Sequence, residues 1–518
     1  MDSDASESKA LLSPNEDELY LKAYTNVNIW NLTDLELDST SIQLGNKDVL
    51  KSGGLMWLPM SIFNLITTVV GAGLLSLPFS FSIGGVIPGA ASLIFTTIVS
   101  LFSGLLIVDS LTYLPQSIRV FNYEDIAQFA FGRIGRVFVL LTIIVLLLPS
   151  HMAYMIITRD QLDLVIQFVL TQANVSTSEP SLGFYLTKHY IVQTIAYLPI
   201  IPICFLTSLR YLAYSSLFGF ICILFVSGSF VYLSSYNLVH NSHNISITSF
   251  CGNITNGSTT NSVTCIPLWP NNVFEFLHSF TITALVFVCH FNILPLKAEL
   301  YNPTTTRVKS SIIVTVLTAF LLYFITIIFT LLEFGYEIKA DVMKNYDPNN
   351  ILFVVGRIAL FLSLLLSYPL LLFPCRAAII SLFIPLVQSR YSIRRWLLTQ
   401  KYGKAPFHEK ANFTVNTFIW VLLTVCIFLV AFVPTCFINN VDMVWGFVGA
   451  IGSSLVVFIW PCLFYLQTRR LYWKRLAQRK HFFGMKVVCS ILLLIFGFII
   501  MFVCTINQML MLVIPSLF

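Results

Sequence analysis

The stretch Gly71-Ala72-Gly73-Leu74-Leu75-Ser76-Leu77-Pro78 interrupts an apolar segment that otherwise has the composition of a membrane-spanning helix. A second apolar segment is interrupted by Cys289-His290-Phe291-Asn292-Ile293-Leu294-Pro295. Each stretch contains a proline, which lacks a backbone donor, and the first also contains two glycines, which adopt non-helical conformations readily. Because unpaired peptide groups are costly in lipid, unwound backbone at membrane depth has to line a cavity within the protein. The two interruptions therefore predict a binding site between two broken helices.

The composition is that of a protein embedded in a lipid bilayer. Of the 518 residues, 57% are hydrophobic and 10% are charged, whereas a soluble domain carries about 25% charged residues. The first 54 residues hold ten acidic and four basic side chains and no apolar core. We expect residues 1–54 to form a disordered acidic cytoplasmic tail without a cleavable signal. The basic excess of the remainder indicates cytoplasmic loops and no nucleic-acid partner.

Eleven apolar runs have the length of membrane-spanning helices. We number them span 1 to span 11, and they cover residues 55–81, 87–113, 136–168, 189–206, 212–235, 273–295, 309–334, 351–383, 414–437, 442–466 and 486–514. Nearly all basic residues of the connecting loops lie on one side, which we assign to the cytoplasm together with the amino terminus. This orientation makes 236–271 an outer loop.

The outer loops carry the marks of an extracytoplasmic compartment. Four predicted glycosylation sites fall in them, at Asn174, Asn244, Asn253 and Asn256. The outer loop 236–271 also contains Cys251 and Cys265. We predict a disulfide between these two cysteines, because disulfides persist in oxidising compartments.

The two interruptions fall in span 1 and span 6, at matching places in two sets of five spans. Since five is an odd number, the second set is inverted in the membrane relative to the first. We therefore predict an all-α membrane protein with eleven transmembrane helices and a LeuT-type five-plus-five inverted repeat, in which helices 1 and 6 are broken. The transporter domain would cover 55–515, with repeat one at 55–235, repeat two at 272–466 and an extra helix at 486–514.

Several further motifs accompany the two interruptions, in order along the chain. They are Phe63-Asn64-Leu65, Glu299-Leu300, Asn302-Pro303, Gly356-Arg357, Ser367-Tyr368-Pro369-Leu370, Phe373-Pro374-Cys375-Arg376, Gly446-Phe447-Val448-Gly449-Ala450 and Pro461-Cys462-Leu463-Phe464-Tyr465-Leu466. Together they resemble the amino acid/auxin permease superfamily, and most closely its sodium-coupled neutral amino acid transporter branch (solute carrier family 38). The resemblance implies a secondary active transporter of amino acids, not an enzyme. The branch carries an Asn four residues before the first glycine of the interruption, whereas this chain has Thr67, so both Na⁺ and H⁺ stay open as the coupling ion.

An amino acid is a zwitterion, and the ends of broken helices suit both of its charges. We expect the carboxylate near the amides of Gly71, Ala72 and Gly73, at the positive end of a half-helix. We expect the ammonium group near the backbone carbonyls of the second interruption, at Cys289, His290 and Phe291. The alternative is that the glycines only allow close helix packing.

The coupling ion would be bound by oxygen atoms or carried by a titratable side chain. Candidate cation ligands are Thr67, Ser363 and Ser367, although serines in spanning helices often bond the carbonyl four residues earlier. If the ion is H⁺, the candidate carrier is His290, with a structural histidine as the alternative.

Four other polar residues in the spans have predicted structural roles. Asn64 and Asn292 would support the two interruptions or cross-link helices. Arg159 and Asp163 lie four residues apart in span 3, which predicts a local ion pair or a gate contact.

The acidic tail contains a predicted sorting signal. Glu7 is followed, after three residues, by Leu11 and Leu12, the pattern of an acidic dileucine motif read by clathrin adaptors. It favours a lysosomal, vacuolar or endosomal membrane, with the plasma membrane as the alternative. An alternative function for the protein is an amino-acid sensor that signals through the tail.

No cofactor, metal site, catalytic triad or phosphate-binding loop is expected from the sequence. Their absence argues against an enzyme or an ATP-driven pump.

Overall fold

The structure, a computed structural model, describes residues 56–71, 73–115, 120–175, 187–205, 209–240, 250–251, 266–402, 417–438, 440–476 and 484–514. The acidic tail and its sorting residues Glu7, Leu11 and Leu12 lie outside the described residues. The same holds for Ala72, Cys265, Asn244, Asn253 and Asn256. The predictions made for these residues therefore stay predictions.

The described part of the chain is almost entirely helical, as predicted. Its helices are α1 (Leu58–Val70), α2 (Gly73–Gly84), α3 (Val86–Ser110), α4 (Tyr123–Gln172), α5 (His189–Tyr197), α6 (Ile201–Cys204), α7 (Leu209–His240), α8 (Val273–Leu285), α9 (His290–Glu299), α10 (Thr305–Phe334), α11 (Ile351–Tyr402), α12 (Thr417–Thr435), α13 (Val441–Phe447), α14 (Trp460–Arg475) and α15 (Met485–Val513). Three short 3₁₀ turns cover Leu111–Tyr113, Gly335–Glu337 and Val342–Asn345. A π-helix, Val448–Ile459, joins α13 to α14.

Two short strands are the described exception to the helical architecture. β1 (Phe250–Cys251) pairs in parallel with β2 (Ile266–Pro267). Both belong to the predicted outer loop between α7 and α8, and Cys251 lies opposite Pro267.

Eight helical segments of the described residues are long and apolar enough to span a membrane, and nine if the bent pair α1–α2 counts as one span. Span 4 does not form one helix: α5 and α6 have nine and four residues. Pro199 and Pro202 lie at this division, and neither can donate a helical hydrogen bond. Span 9 corresponds to the shorter apolar helix α12. The count of eleven membrane-spanning helices therefore stays a prediction.

Span 1 is broken between α1 and α2, whose axes differ by 42°. Only Gly71 and Ala72 separate the two half-helices, and Pro78 lies inside α2. A proline inside a helix removes one backbone hydrogen bond, but α2 continues beyond Pro78 to Gly84. Of the stretch identified from the sequence, Gly71 thus lies outside the two half-helices, whereas Gly73 to Pro78 belong to α2.

Span 6 is also broken, but one turn earlier than the sequence pattern indicated. α8 ends at Leu285 and α9 begins at His290, so the non-helical residues are 286–289. The placement of the interruption at Cys289–Pro295 is therefore wrong for most of that stretch, since Pro295 lies inside α9. A proline marks where a donor is missing, but it does not determine on which side of it the backbone unwinds.

Packing places the two broken spans at the centre of the bundle. α1 packs against α7 and α10, α2 packs against α8, and α4 lies along α11. The chain just before α1 pairs with the chain just after α9: Met56 N donates to Glu299 O at 3.0 Å, and Tyr301 N donates to Met56 O at 2.8 Å. Both broken spans are thereby tied together at their predicted cytoplasmic ends.

Candidate functional site

A cavity lies between the two broken spans and encloses about 560 Å³ not occupied by atoms, part of it open to solvent. Nine of its fifteen lining residues belong to spans 1 and 6: Thr68, Val69, Gly73, Ser76, Ile282, Leu285, Val286, Val288 and Phe291. The others are Leu146, Leu147, Ser150, Tyr154, Leu371 and Trp445. None of these fifteen described residues carries a charged side chain, so any charge bound here is held by backbone and neutral polar groups.

The half-helix ends at the cavity have opposite polarity. α2 begins at Gly73, and the first amides of a helix have no partner within it, which makes this end attractive to an anion. Ser76, in the first turn of α2, has a buried hydroxyl without a hydrogen-bond partner among the described residues. α8 ends at Leu285 beside the same cavity, and its last carbonyls form a negative end. The cavity can therefore hold an anionic and a cationic group together.

Gly71 and Gly73 lie where other groups approach the backbone closely. A methyl group at Gly71 would overlap the hydroxyl of Tyr154. A Cβ at Gly73 would lie 2.7 Å from Val286 Cγ1 and 3.2 Å from the Tyr323 hydroxyl oxygen. Close packing, the alternative interpretation of the glycines, is therefore realised. Gly73 also lines the cavity, and its role in binding a carboxylate stays a prediction.

Tyr323 joins the two interruptions, and the sequence analysis did not identify it. Its hydroxyl lies 2.7 Å from Val69 O, near the end of α1, and 3.1 Å from Val286 O, just after α8. One hydroxyl hydrogen is thus shared between carbonyls of both unwound segments. The side chain is fully buried. A tyrosine in the middle of an apolar span could have been noticed, because a hydroxyl at membrane depth requires a partner.

The residues predicted to hold the ammonium group separate in the structure. Phe291 lines the cavity, whereas Cys289 and His290 are buried outside its lining. Cys289 O accepts a hydrogen bond from Asn292 N at 3.0 Å. His290 Nε2 lies 2.7 Å from Ser103 Oγ, so the imidazole faces span 2. The carbonyl end that borders the cavity belongs to the last turn of α8, not to the first turn of α9.

The predicted cation ligands Thr67 and Ser363 come together around α7. A Cβ at Gly219 would lie 3.3 Å from Ser363 Oγ and 3.5 Å from Thr67 Cγ2. Ser363 Oγ donates to Gly219 O at 3.1 Å, and Thr67 Oγ1 donates to Phe63 O at 2.9 Å. Thr67 thus approaches Gly219 through its methyl carbon, and both hydroxyl oxygens donate to backbone carbonyls while keeping their lone pairs.

Ser367 and the two asparagines make local contacts in this region. Ser367 Oγ donates to Ser363 O at 2.7 Å, the bond to the carbonyl four residues earlier that the sequence left open. Asn64 Oδ1 accepts from Ser216 Oγ at 3.3 Å, which links span 1 to span 5. Asn292 Nδ2 donates to Thr68 Oγ1 at 3.4 Å and links span 6 to span 1.

The predicted pairing of Arg159 with Asp163 is wrong. Arg159 donates to Asp160 Oδ1 at 2.9 Å and to Thr435 O at 2.9 Å, while Asp163 accepts from Gln167. Lys344, from the loop between α10 and α11, lies 2.6 Å from Asp160 Oδ2. Helical spacing showed which side chains share a face, but Arg159 pairs with the adjacent Asp160, to which the loop residue Lys344 also binds.

Asp341 extends this ion cluster at the predicted outer end of the bundle. Its carboxylate accepts from Gln161 Nε2 at 2.6 Å and from Met343 N at 3.1 Å. Burial raises the pKa of Asp341 to about 6, although the nearby Lys344 ammonium acts in the opposite direction. Arg159, Asp160, Asp341 and Lys344 form what we call the outer cluster.

Comparisons with known proteins agree with this architecture. The family model described as "Transmembrane amino acid transporter protein" matches residues 57–510. The solved structure "Crystal structure of MhsT in complex with L-phenylalanine" is similar, with a TM-score of 0.54 and 11% identity over 88% of this chain and 99% of that chain. At this identity the likeness shows the LeuT-type fold alone. Because the family model covers most of the sequence, the chain belongs to the transmembrane amino acid transporter family, which comprises transporters and not enzymes.

Proposed function

We propose that this protein is a secondary active transporter that moves neutral amino acids by alternating access, coupled to Na⁺ or H⁺. The observation that carries the proposal is a cavity bordered by both broken spans and by no charged side chain among its described lining residues. Backbone groups at the helix ends suit the two charges of a zwitterion. A third charge, on a lysine-like or glutamate-like side chain, would be buried there without a partner, at a cost of several kcal/mol.

The helix ends orient the substrate within this cavity. Its carboxylate would lie at the amides that begin α2, close to Ser76, and its ammonium group at the carbonyls that end α8. The side chain would then contact apolar residues such as Leu146, Ile282 and Leu371. The LeuT-type neighbour MhsT was solved with L-phenylalanine, an amino acid of this neutral class.

The neutral specificity is tested by uptake into proteoliposomes that contain the purified protein. We expect alanine, leucine and phenylalanine to enter when a Na⁺ gradient or a pH gradient is imposed, and lysine and glutamate to be excluded. Liposomes without protein are the control. Uptake of lysine or glutamate as fast as that of leucine would contradict the neutral specificity, and uptake that ignores both gradients would contradict coupling.

The coupling ion is tested with two variants. In a Na⁺-coupled protein, Ser363→Ala should raise the Na⁺ concentration for half-maximal uptake, because Ser363 and Thr67 lie together beside Gly219. His290→Gln should then transport normally. In an H⁺-coupled protein, His290→Gln should abolish the response to a pH gradient, while Ser363→Ala retains it. If neither variant changes the response to either ion, the assignment of both residues is wrong.

We also propose that the acidic tail directs the protein to an endosomal or lysosomal membrane. Support comes from the Glu7, Leu11 and Leu12 motif in the sequence. Replacing Leu11 and Leu12 by alanine should shift the protein to the plasma membrane without changing uptake in proteoliposomes. An unchanged location of the variant in cells would contradict the sorting role.

A further inference from the structure

Trp445 lines the cavity and carries a buried donor without a hydrogen-bond partner among the described residues. Its ring lines the cavity from α13, three residues before the π-helix, an element that often accompanies functional sites. The side chain is 6% exposed, and its Nε1 is buried without a hydrogen-bond partner among the described residues. Indole N–H groups can only donate. A ligand that fills the cavity can satisfy this group only by presenting an acceptor.

Tyr154 connects Trp445 to the interruption in span 1. Its ring packs edge-on against Tyr154, with ring centroids 6.5 Å apart. The Tyr154 hydroxyl in turn lies against Gly71. The Trp445 ring and Gly71 are therefore both neighbours of Tyr154. Indole and amide N–H donors are complementary to oxygen atoms that carry negative charge or lone pairs.

Trp460 shows that the same span can satisfy an indole when no ligand is involved. Its Nε1 donates to Thr142 Oγ1 at 3.1 Å, and the ring lies outside the cavity lining. Buried polar groups in proteins are nearly always paired, so an unpaired one beside a cavity points to a missing partner. Trp445 thus differs from Trp460 in two respects: it lines the cavity, and its N–H has no partner among the described residues.

We propose that Trp445 donates its indole N–H to an oxygen of the bound amino acid and so takes part directly in substrate recognition. This inference rests on the proposed transport function and deepens it. The acceptor is either the carboxylate of the substrate or an oxygen in its side chain. Both sources present the same chemistry, and substrates of equal shape distinguish them.

The test compares Trp445→Phe with the matched control Trp460→Phe in proteoliposome uptake of valine and threonine. Both variants keep an aromatic ring and lose the N–H. We expect KM to rise about tenfold in Trp445→Phe, the effect of one lost hydrogen bond to a ligand. A rise for both amino acids identifies the carboxylate as the acceptor, and a rise for threonine alone identifies the side-chain oxygen.

Thermal stability without substrate provides a second readout. Trp445→Phe should keep the wild-type Tm or exceed it, because no protein hydrogen bond is lost. Trp460→Phe should lower Tm, because the contact with Thr142 is lost. Wild-type KM values in Trp445→Phe, or an equal KM rise in Trp460→Phe, would overturn the inference while the transport function stands. Absence of any uptake by the wild type would overturn the proposed function and the inference with it.

Discussion

Gly73 and Val286 show how closely the two interruptions approach each other. They lie at the start of α2 and just after α8, and a single added carbon at Gly73 would meet Val286 Cγ1 at 2.7 Å. Atoms of two broken segments are thus in direct contact at the cavity. The position requires glycine because of a neighbour from another span, not because of its own backbone conformation.

We predict that Gly73→Ala reduces amino-acid uptake strongly, because the new methyl group pushes the two interruptions apart. The double variant Gly73→Ala/Val286→Ala should recover part of the activity, since truncation removes Cγ1 while the 3.1 Å approach to Val286 Cβ remains. Initial uptake rates in proteoliposomes measure both effects, with Val286→Ala alone as the control. A double variant no better than Gly73→Ala would show that this contact is not the cause.

Asp341, at the predicted outer end of the bundle, illustrates how burial raises the pKa of a carboxyl group. Its pKa of about 6 lies above the value of 3.8 for an exposed aspartate, because burial disfavours the charged form. Protonation therefore favours the folded state: the stabilisation is complete below pH 3.8 and is lost as the pH rises through about 6. The protonated carboxyl group of Asp341 can donate a hydrogen bond to Gln161 Oε1. This oxygen is buried without a partner among the described residues.

We predict that Asp341→Asn raises Tm at pH 7.5 and has little effect at pH 4.5. Asparagine imitates the neutral carboxyl group, and its amide can donate to Gln161 Oε1 after that side chain rotates. Thermal unfolding in detergent across this pH range measures the difference in Tm between the variant and the wild type. The difference should grow as the pH rises from about 4 to about 7. A constant difference at all pH values would contradict the raised pKa of Asp341.

At the scale of elements, Tyr323 connects the two unwound segments through one hydroxyl group. α10 carries this side chain between α1 and α8, so three helices meet at a single oxygen atom. Ser100 of α3 donates in the same way to Phe287 O at 3.1 Å. Side chains from neighbouring helices thus satisfy the carbonyls that the break in span 6 releases, as lipid surroundings require.

We predict that Tyr323→Phe lowers the uptake rate at least tenfold while it lowers the free energy of unfolding by about 1–3 kcal/mol, the cost of leaving buried carbonyls unpaired. Tyr197→Phe is the matched control, because its buried hydroxyl donates to Thr158 Oγ1 at 3.2 Å away from the interruptions. Uptake and Tm are measured for both. Equal loss of uptake in the two variants would show that Tyr323 stabilises the protein without a specific role at the breaks.

Across the whole molecule, the outer cluster joins parts that are far apart in the sequence. Arg159 binds the carbonyl of Thr435 at the end of α12, and Gln193 of α5 donates to the hydroxyl of the same threonine. Lys344 attaches the loop before α11 to Asp160 of α4. Three helices and a loop are therefore held together at one end of the bundle. Opening of the cavity toward this end would require these contacts to separate.

We predict that a short thiol cross-linker between Asp160→Cys and Lys344→Cys blocks uptake, because it keeps the outer end closed during alternating access. Addition of a reducing agent should restore transport if the linker is cleavable. Each single cysteine variant, treated with the same reagent, accounts for the reaction of native cysteines and for loss of the ion pair. Full transport by the cross-linked protein would show that this end does not open in the cycle.

The fold could be predicted further from the sequence than the site could. Apolar length and the position of glycine and proline identified both broken spans, because the bilayer imposes these requirements locally along the chain. The carboxylate position at Gly71, Ala72 and Gly73 follows from the same pattern and stays a prediction. Tyr323 and Trp445 were missed, because their importance depends on partners in other spans, or on the absence of a partner.

The sequence by itself determined that this chain spans a membrane as helices, that two of them are broken, and that its motifs belong to a family of amino acid transporters. These are properties of local composition and order. The tertiary structure alone decided that span 6 unwinds before His290, that Lys344 pairs with Asp160, and that Trp445 lines the cavity with an unsatisfied donor. The physical reason is that hydrogen-bond partners and ion pairs are chosen by proximity in space, which residue spacing does not encode.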